Sequence, residues 1–288
     1  MKYSARSSVR PLLENADKSR GEVNRLKILV CVKQVPDTTE IKIDPVTNTL
    51  IRNGVPSIVN PFDKNALEAA LQFKDKYGAE VTVLSMGPTQ AVEALKECYA
   101  MGADNMVLVS DRVFGGADTL ATSYTLSAAI RALGEFDLIL CGKQAIDGDT
   151  AQVGPEIAEH LGIPQVTYAA DIELNDTTLT VKKEQEDCYE KIEVKLPVLL
   201  TAVKSLNEPR YPNIRRKMQA NRAEVHTLTA ADLPDLDPAR LGLKGSPTKV
   251  KKTFVPPVHS TGVRVEGKDA GEQADNLLKL LSEAKITF

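Results

Sequence analysis

The chain has 288 residues, 42% hydrophobic and 26% charged, with a formal net charge of −3. That length suits one large domain or two small ones around a buried core, and the near-neutral balance excludes a nucleic-acid binder built on a broad basic face. No apolar run approaches the roughly 18 residues of a membrane span, so the chain reads as soluble.

Residues 1–25 are polar, with Arg6, Arg10, Lys18, Arg20 and Arg25 set against Glu14, Asp17 and Glu22. They lack the apolar stretch of a secretory signal, and three acids in so short a segment do not suit a transit peptide. A disordered extension or a non-native start is expected. From Leu26 the pattern changes. Lys27 to Lys33 is a nearly continuous apolar run, as in a strand buried on both faces of a parallel sheet. Val35-Pro36-Asp37 breaks it, and a two-stranded excursion is expected at 40–43 and 50–52, around Asp44-Pro45.

Asn60-Pro61 opens a helix with Leu67, Ala70, Leu71 and Tyr77 on one face and Gly78 at its end. Glu80 to Met86 is a second buried strand, and Gly87-Pro88 starts a helix closed by Gly102. Met106 to Val109 is a third strand. The loop FGGADT then leads into a helix from about Thr119 to Gly134, and Asp137 to Cys141 is a fourth strand. Strand and helix alternating over short links predict right-handed crossovers and a doubly wound, Rossmann-like parallel sheet of α/β class.

After Pro164 the apolar period becomes two. Ile172 and Leu174, Leu179 and Val181, and Ile192 and Val194 alternate with polar residues around a turn at Asn175-Asp176, which predicts an antiparallel meander. Residues 197–203 return to a buried run. Beyond Asn207 the chain is rich in proline, and only Gly271 to Ala284 reads as a helix, with Leu277, Leu278 and Leu281 as its apolar stripe. Such a tail predicts an arm packed on a partner. The expected division is a dispensable front at 1–25, a nucleotide-binding domain at 26–222 and an arm at 223–288.

Cysteine and histidine narrow the chemistry. Cys31, Cys98, Cys141 and Cys188 form no CxxC pair, and His160, His226 and His259 fit no metal-ligand spacing. No metal site is expected, no side chain stands out as a catalytic acid or base, and scattered thiols suit a reducing cytoplasm. The chain has no Trp and only 5% aromatic residues, so a flat cofactor would be held by other side chains or by another chain.

In an open parallel sheet, ligands bind at the carboxyl ends of the strands. Cys31, Met86, the FGGADT loop with Asp118 and Thr119, and the run from Gly142 to Val153 all fall there. In that run Gly142, Gly148 and Gly154 permit tight turns, and Asp149-Thr150 offer capping side chains. Pro155 fits only the first helical turn, so the helix should start between Thr150 and Gly154. Free N–H groups at that helix end suit a phosphate. The same pattern also suits a plain glycine-rich connector, since it is neither GxxxxGK[ST] nor GxGxxG.

Five ordered segments, LKILVCVKQVPDT, NPFDKNALEAAL, GPTQAVEALKECYAMGAD, GKQAIDGDTAQVGPEIAEHLG and LPVLLTAVKSLNEPRYPNI, together resemble the beta subunit of an electron transfer flavoprotein. The diagnostic stretch of that family falls in Val181 to Thr201, where Val181, Lys183, Glu186, Asp187, Glu190, Ile192, Pro197 and Thr201 fit and Cys188 departs. The resemblance implies a heterodimer with an alpha subunit that holds a redox FAD. It also implies an adenine-nucleotide site in this chain at Cys31, Asn60, Pro61, Phe62, Asp63, Met86, Gly142, Lys143, Gln144, Ala145, Ile146, Asp147, Gly148, Asp149, Thr150, Ala151, Gln152 and Val153.

One branch of the family holds AMP there. The electron-bifurcating branch holds a second FAD that accepts hydride from NADH, then passes electrons to ferredoxin or flavodoxin and to an acyl-CoA dehydrogenase-type flavoenzyme. GDTAQVGP and FGGADTLATS resemble the bifurcating branch. The segment RYPNIRRKMQ resembles the family's docking loop for the dehydrogenase, with Arg210, Tyr211, Ile214 and Met218, and Glu184 matches a residue proposed to orient the mobile flavin domain. Two alternatives remain open: a non-bifurcating carrier subunit with AMP, and a stand-alone nucleotide-binding protein.

Overall fold

A computed structural model describes residues 25–37, 56–233, 236–251 and 262–286. The expected excursion at 40–43 and 50–52, and residues 1–24, lie outside them. The described residues up to Lys251 form one unit, and those from 262 onward belong to a second.

The first unit is built on β1 (Lys27–Cys31), whose Ile28, Leu29 and Val30 are fully buried, as a strand covered on both faces requires. A small antiparallel pair follows, β2 (Gln34–Pro36) with β3 (Ser57–Val59). Next come α1 (Pro61–Tyr77), β4 (Glu80–Met86), α2 (Val92–Met101), β5 (Asn105–Val109), α3 (Thr119–Leu133), β6 (Leu138–Gly142) and α4 (Val153–Leu161). α1 carries proline at its start and ends on Gly78 at φ 69, the left-handed conformation that glycine adopts most readily.

The meander is β7 (Gln165–Asn175), β8 (Thr178–Glu184) and β9 (Tyr189–Lys195), paired antiparallel through Ile172↔Val181 and Val181↔Ile192. β10 (Val198–Ala202) is buried throughout. α5 (Ile214–Ala220), β11 (His226–Leu228) and the single turn α6 (Gly242–Gly245) complete this unit.

The main sheet has nine strands in the order β11, β5, β4, β1, β6, β10, β7, β8, β9. All neighbours from β11 to β7 are parallel, and β8 and β9 extend the edge antiparallel. From β1 the chain moves outward through β4 and β5, then returns to β6 on the other side of β1. The order therefore reverses between β1 and β6. The crevice beyond the carboxyl ends of those two strands is the switch point where open sheets bind ligands.

The core lies on both faces of the sheet. One cluster joins Ile28, Val30, Leu67, Leu71, Val83, Leu95 and Leu140, with α1 and α2 over it. The other joins Leu29, Leu84, Val109, Tyr124, Ile139, Ile157 and Leu199, with α3 and α4 over it.

The boundary expected after residue 222 does not coincide with a break in packing. β11 pairs with β5 at the sheet edge, and Leu228, Leu233 and Leu241 are buried in the second cluster. A three-residue strand next to prolines carries no readable period, so the sequence pattern did not reveal it. The second unit contains α7 (Ala270–Glu283), capped by Asp269, with Leu277, Leu278 and Leu280 exposed and Leu281 half-buried. No helix among the described residues is long and apolar enough to cross a membrane.

Candidate functional site

The crevice at β1 and β6 is organised by two side chains from the start of α1. Asn60 occupies the N-cap position but does not cap its own helix. It is fully buried, donates from Nδ2 to the Gln144 carbonyl (2.8 Å) and accepts the Ile146 N–H at Oδ1 (3.2 Å). Its own N–H donates to the Lys33 carbonyl (2.9 Å). Asn60 thus joins the end of β1, through its backbone, to the loop after β6, through its side-chain amide. It meets two backbone groups that would otherwise be left unpaired, which is why an amide suits the position.

Asp63 repeats the bridge. Oδ2 accepts the Lys33 N–H (2.7 Å) and Oδ1 accepts the Gly142 N–H (3.1 Å). Burial pushes its carboxyl up to about 7, against the lowering effect of Asn60 and of the two N–H donors. Gly142 is required here. A β-carbon on it would lie 2.3 Å from Asp63 Oδ1 and 2.7 Å from the Phe62 carbonyl carbon. A third link is the ion pair from Lys33 Nζ to Asp147 (2.7 Å).

The loop from Gly142 to Gln152 then runs to α4. Lys143 donates its N–H to the Ala202 carbonyl (2.8 Å) and places its ammonium over the Tyr168 ring, 4.9 Å from the centroid. Asp149 accepts from Gln144 Nε2 (2.7 Å) and does not cap α4. The expected capping by Asp149-Thr150 is corrected: the N-cap is Gln152, and no side chain caps this helix. Gly148 has no positive φ; the left-handed positions are Asp149 (φ 51) and Ala151 (φ 54). Gly154 allows a close approach instead, since a β-carbon there would lie 2.8 Å from Thr201 Cγ2 on β10.

α4 starts at Val153, within the interval the Pro155 position allowed. Its first-turn N–H groups lack a capping side chain, at the positive end of the helix dipole, and that end is a ready anion site. α1, α2 and α6 likewise lack a side-chain cap, whereas α3 is capped by Asp118, α5 by Asn213 and α7 by Asp269.

The FGGADT loop lies beside this end. Thr119 Oγ1 is 3.1 Å from Gln152 Oε1 and 3.2 Å from Glu156 Oε1. The second carboxylate oxygen of Glu156 is buried without a partner. Asp118 is fully engaged. It accepts the Ala121 N–H (3.1 Å) and, at its other oxygen, the N–H and hydroxyl of Thr248 (3.1 and 2.8 Å). Burial alone would raise its carboxyl, but those bonds prevail and hold it below its usual range.

Cys31 and Met86, both half-buried, pack against the cluster under α3 and α4, which also contains Cys141. Asn60, Asp63, Cys31, Thr119 and the run 142–153 therefore converge on the carboxyl ends of the central strands. A cavity of ≈ 480 Å³ opens at the opposite ends of β1, β4 and β5, away from the switch point, where Glu80, Asp104, Glu135 and Glu224 outnumber Lys27 and His226. Among the described residues no group of three or more His, Cys, Asp or Glu is placed to hold a metal ion.

Residues 210–218 divide by direction. Arg210 turns inward: Nε and Nη2 meet the two oxygens of buried Glu68 (2.8 and 2.9 Å), and Nη2 also meets Asp75 (2.8 Å). Arg216 reaches the Tyr99 carbonyl (3.0 Å) and the Ala103 carbonyl, and the Asn213 N–H donates to the Ala100 carbonyl (2.9 Å). With the polar groups tied to α1 and α2, the apolar ones face out. Tyr211 is 93% exposed, Ile214 81% and Met218 61%. Glu184 accepts the Ser205 hydroxyl (2.9 Å) beside a cavity shared with Phe62, Lys143 and Lys204.

Sequence reading missed Lys33, Glu68 and Glu156. Lys33 stands two residues past β1 and could have been found by the strand-end rule. Glu68 and Glu156 sit in amphipathic helices as ordinary acids, and only their burial distinguishes them.

The model of the electron transfer flavoprotein domain matches residues 47–233. The chain is 58% identical over 258 residues to an electron transfer flavoprotein subunit beta of Clostridium acetobutylicum, covering 90% of this chain and 98% of the relative. It is 53% identical over 262 residues to a subunit of the caffeyl-CoA reductase–Etf complex of Acetobacterium woodii, covering 91% and 100%. It is 46% identical over 268 residues to the acryloyl-CoA reductase electron transfer subunit gamma of Anaerotignum propionicum, again covering 91% and 100%.

Proposed function

The chain belongs to the electron transfer flavoprotein family as a beta subunit, and on that premise we propose that it binds FAD at the β1/β6 crevice and serves an NADH-dependent, electron-bifurcating heterodimer. The observation that carries the choice of FAD over AMP is the contact of Thr119 with Gln152 and Glu156. It puts the FGGADT loop against the start of α4, so the site has two loops to offer instead of one. A larger dinucleotide can use both.

The residues suit such a ligand. The uncapped first turn of α4 offers N–H donors to a phosphate. The unpartnered oxygen of Glu156 offers an acceptor to a sugar or ribityl hydroxyl. Asn60 and Asp63 hold the loop 142–147 in place, so the site is organised before the ligand arrives. The flavin supplies hydride acceptance and one-electron chemistry when bound; this chain supplies position, charge and exclusion of water.

The alpha subunit of the family is the expected partner, and the apolar residues Tyr211, Ile214 and Met218 are the proposed contact with an acyl-CoA dehydrogenase-type flavoenzyme. Two of the similar relatives are named for acyl-CoA reductase systems, which supports that reading. Arg210 holds this loop on α1 and acts through it. Ferredoxin or flavodoxin is the proposed low-potential acceptor and the cytoplasm the proposed location.

The test is a flavin count on the purified heterodimer. Two FAD per heterodimer support the reading, and one FAD with one AMP overturns it. NADH added under anaerobic conditions should bleach the flavin absorbance; its persistence would remove NADH as the donor.

A further inference from the structure

Two thiols meet at the switch point of the sheet. The register of β1 on β6 pairs Val30 with Leu140, so the next positions along are Cys31 and Cys141. Both side chains face α3 and α4: Cys141 belongs to the cluster there and Cys31 packs against it. The two positions are neighbours on the same face of the sheet. Cys31 is half-buried and Cys141 buried, so one thiol of the pair is reachable from the crevice. The other two cysteines are elsewhere, Cys98 in the cluster on the opposite face and Cys188 exposed between β8 and β9.

Neighbouring strands lie about 4.8 Å apart. That falls within the roughly 4.4–6.8 Å between α-carbons that a disulfide spans, and slightly above its favoured β-carbon spacing of about 3.5–4.5 Å. Strand spacing alone therefore brings the two positions within reach of a disulfide. A disulfide whose β-carbons stand wider than the favoured range is an easily reduced one, suited to switching rather than to stability.

We propose that Cys31 and Cys141 are a reversible redox-modification site, closed to a disulfide by peroxide and reopened by a cellular dithiol. The Cys31 sulfur attacks one oxygen of hydrogen peroxide. The O–O bond breaks, the hydroxide leaves as water with the proton from the Cys31 thiol, and Cys31 becomes a sulfenic acid. The Cys141 sulfur then attacks the Cys31 sulfur, the S–O bond breaks, and the hydroxyl departs with the Cys141 proton as a second water. Two thiols and one peroxide give one disulfide and two waters. A dithiol returns two electrons and two protons. The order follows from access: Cys31 is half-buried and meets the oxidant first, whereas Cys141 is buried beside it and follows as the resolving partner.

Cys141 precedes Gly142, whose N–H is held by Asp63. Closing the bond therefore acts directly on the crevice floor. This consequence rests on the cofactor reading above, whereas the thiol chemistry does not.

The experiment uses the heterodimer carrying Cys188→Ser, which removes the exposed thiol. It is treated with hydrogen peroxide, alkylated after denaturation and digested for peptide mass analysis, with bound cofactor measured on the same samples. The expected product is the Cys31 and Cys141 peptides linked, with loss of two hydrogens, restored to two alkylated thiols by dithiothreitol. Adding Cys141→Ser should leave Cys31 as sulfenic or sulfinic acid with no link, and adding Cys31→Ser should leave Cys141 a thiol. Two separately alkylated thiols after peroxide, or Cys31 over-oxidised beside a free Cys141, would overturn the proposal. A link with cofactor retention unchanged supports the thiol pair and removes only its tie to the cofactor site.

Discussion

The Gly142 N–H donates to the carboxylate of Asp63 at 3.1 Å, and a β-carbon on Gly142 would stand 2.3 Å from that same carboxylate oxygen. The bond that anchors the loop after β6 thus exists only because residue 142 has no side chain. The contact leaves no flexible group to yield, since the next nearest atoms, at 2.7 and 2.8 Å, are backbone of Phe62 and Asp63.

Gly142→Ala should therefore push α1 off the end of β6. Forced overpacking of this kind costs about 1–3 kcal/mol. Urea unfolding should show the loss, and the heterodimer should retain less of the adenine nucleotide bound by this chain. An unchanged unfolding midpoint would show that α1 shifts freely.

Asn60→Ala should leave the Gln144 carbonyl and the Ile146 N–H without partners in a buried place. Each unpaired buried group costs about 1–3 kcal/mol. Hydrogen exchange should rise specifically at residues 144–147, which separates a loosened loop from general destabilisation.

Asp63 should give stability a distinctive pH dependence. Its carboxyl is raised from 3.8 to about 7 by burial. Between those values the unfolded chain has lost the proton and the folded chain has kept it. The folded state binds more protons, so its stability relative to the unfolded state falls as pH rises across this window. Asp63→Asn removes the titration. The stability difference between wild type and variant, followed by thermal or urea unfolding, should shift against wild type from about pH 4 to pH 7. A flat difference would place the pKa elsewhere.

The loop at 210–218 should separate stability from docking. Arg210→Ala leaves the buried carboxylate of Glu68 with the residue-210 N–H but without its cation, and breaking such a pair costs up to about 3–5 kcal/mol. Ile214→Asp changes an exposed side chain and should leave stability within about 0.5 kcal/mol. The second variant should abolish electron transfer to the dehydrogenase while NADH still reduces the flavin. Loss of coupling in neither variant would remove this loop from the docking account.

Much of the fold was legible because buried parallel strands announce themselves as short, mostly apolar runs between glycines and prolines. Lys27 to Cys31, Glu80 to Met86 and Val198 to Ala202 all follow that rule. The meander was legible because one face of each strand is wet and the other dry, as Leu179 and Val181 show beside their exposed or half-exposed neighbours. β11 escaped notice because three residues cannot display a period. The candidate site was legible as a set of strand ends, but the duties of its members were not. Asn60 reads as a cap and is a bridge; Asp149 reads as a cap and instead accepts from Gln144; Asp118 reads as a cap and is one, and its bonds to Thr248 have no local signature.

The opening numbers described an ordinary composition, and sequence alone took that to a doubly wound sheet, a family and a list of strand-end residues. It could do so because burial patterns and turn residues are local, written within a dozen positions. Which residues meet is decided by chain crossings. Lys33 reaches Asp63 at the start of α1 and Thr119 reaches Glu156 on α4, while Lys33 reaches Asp147 and Cys31 faces Cys141 only once β6 has returned to the side of β1. Contacts between residues 30 to 114 positions apart have no local signature, so the partners within the site emerge from tertiary structure alone.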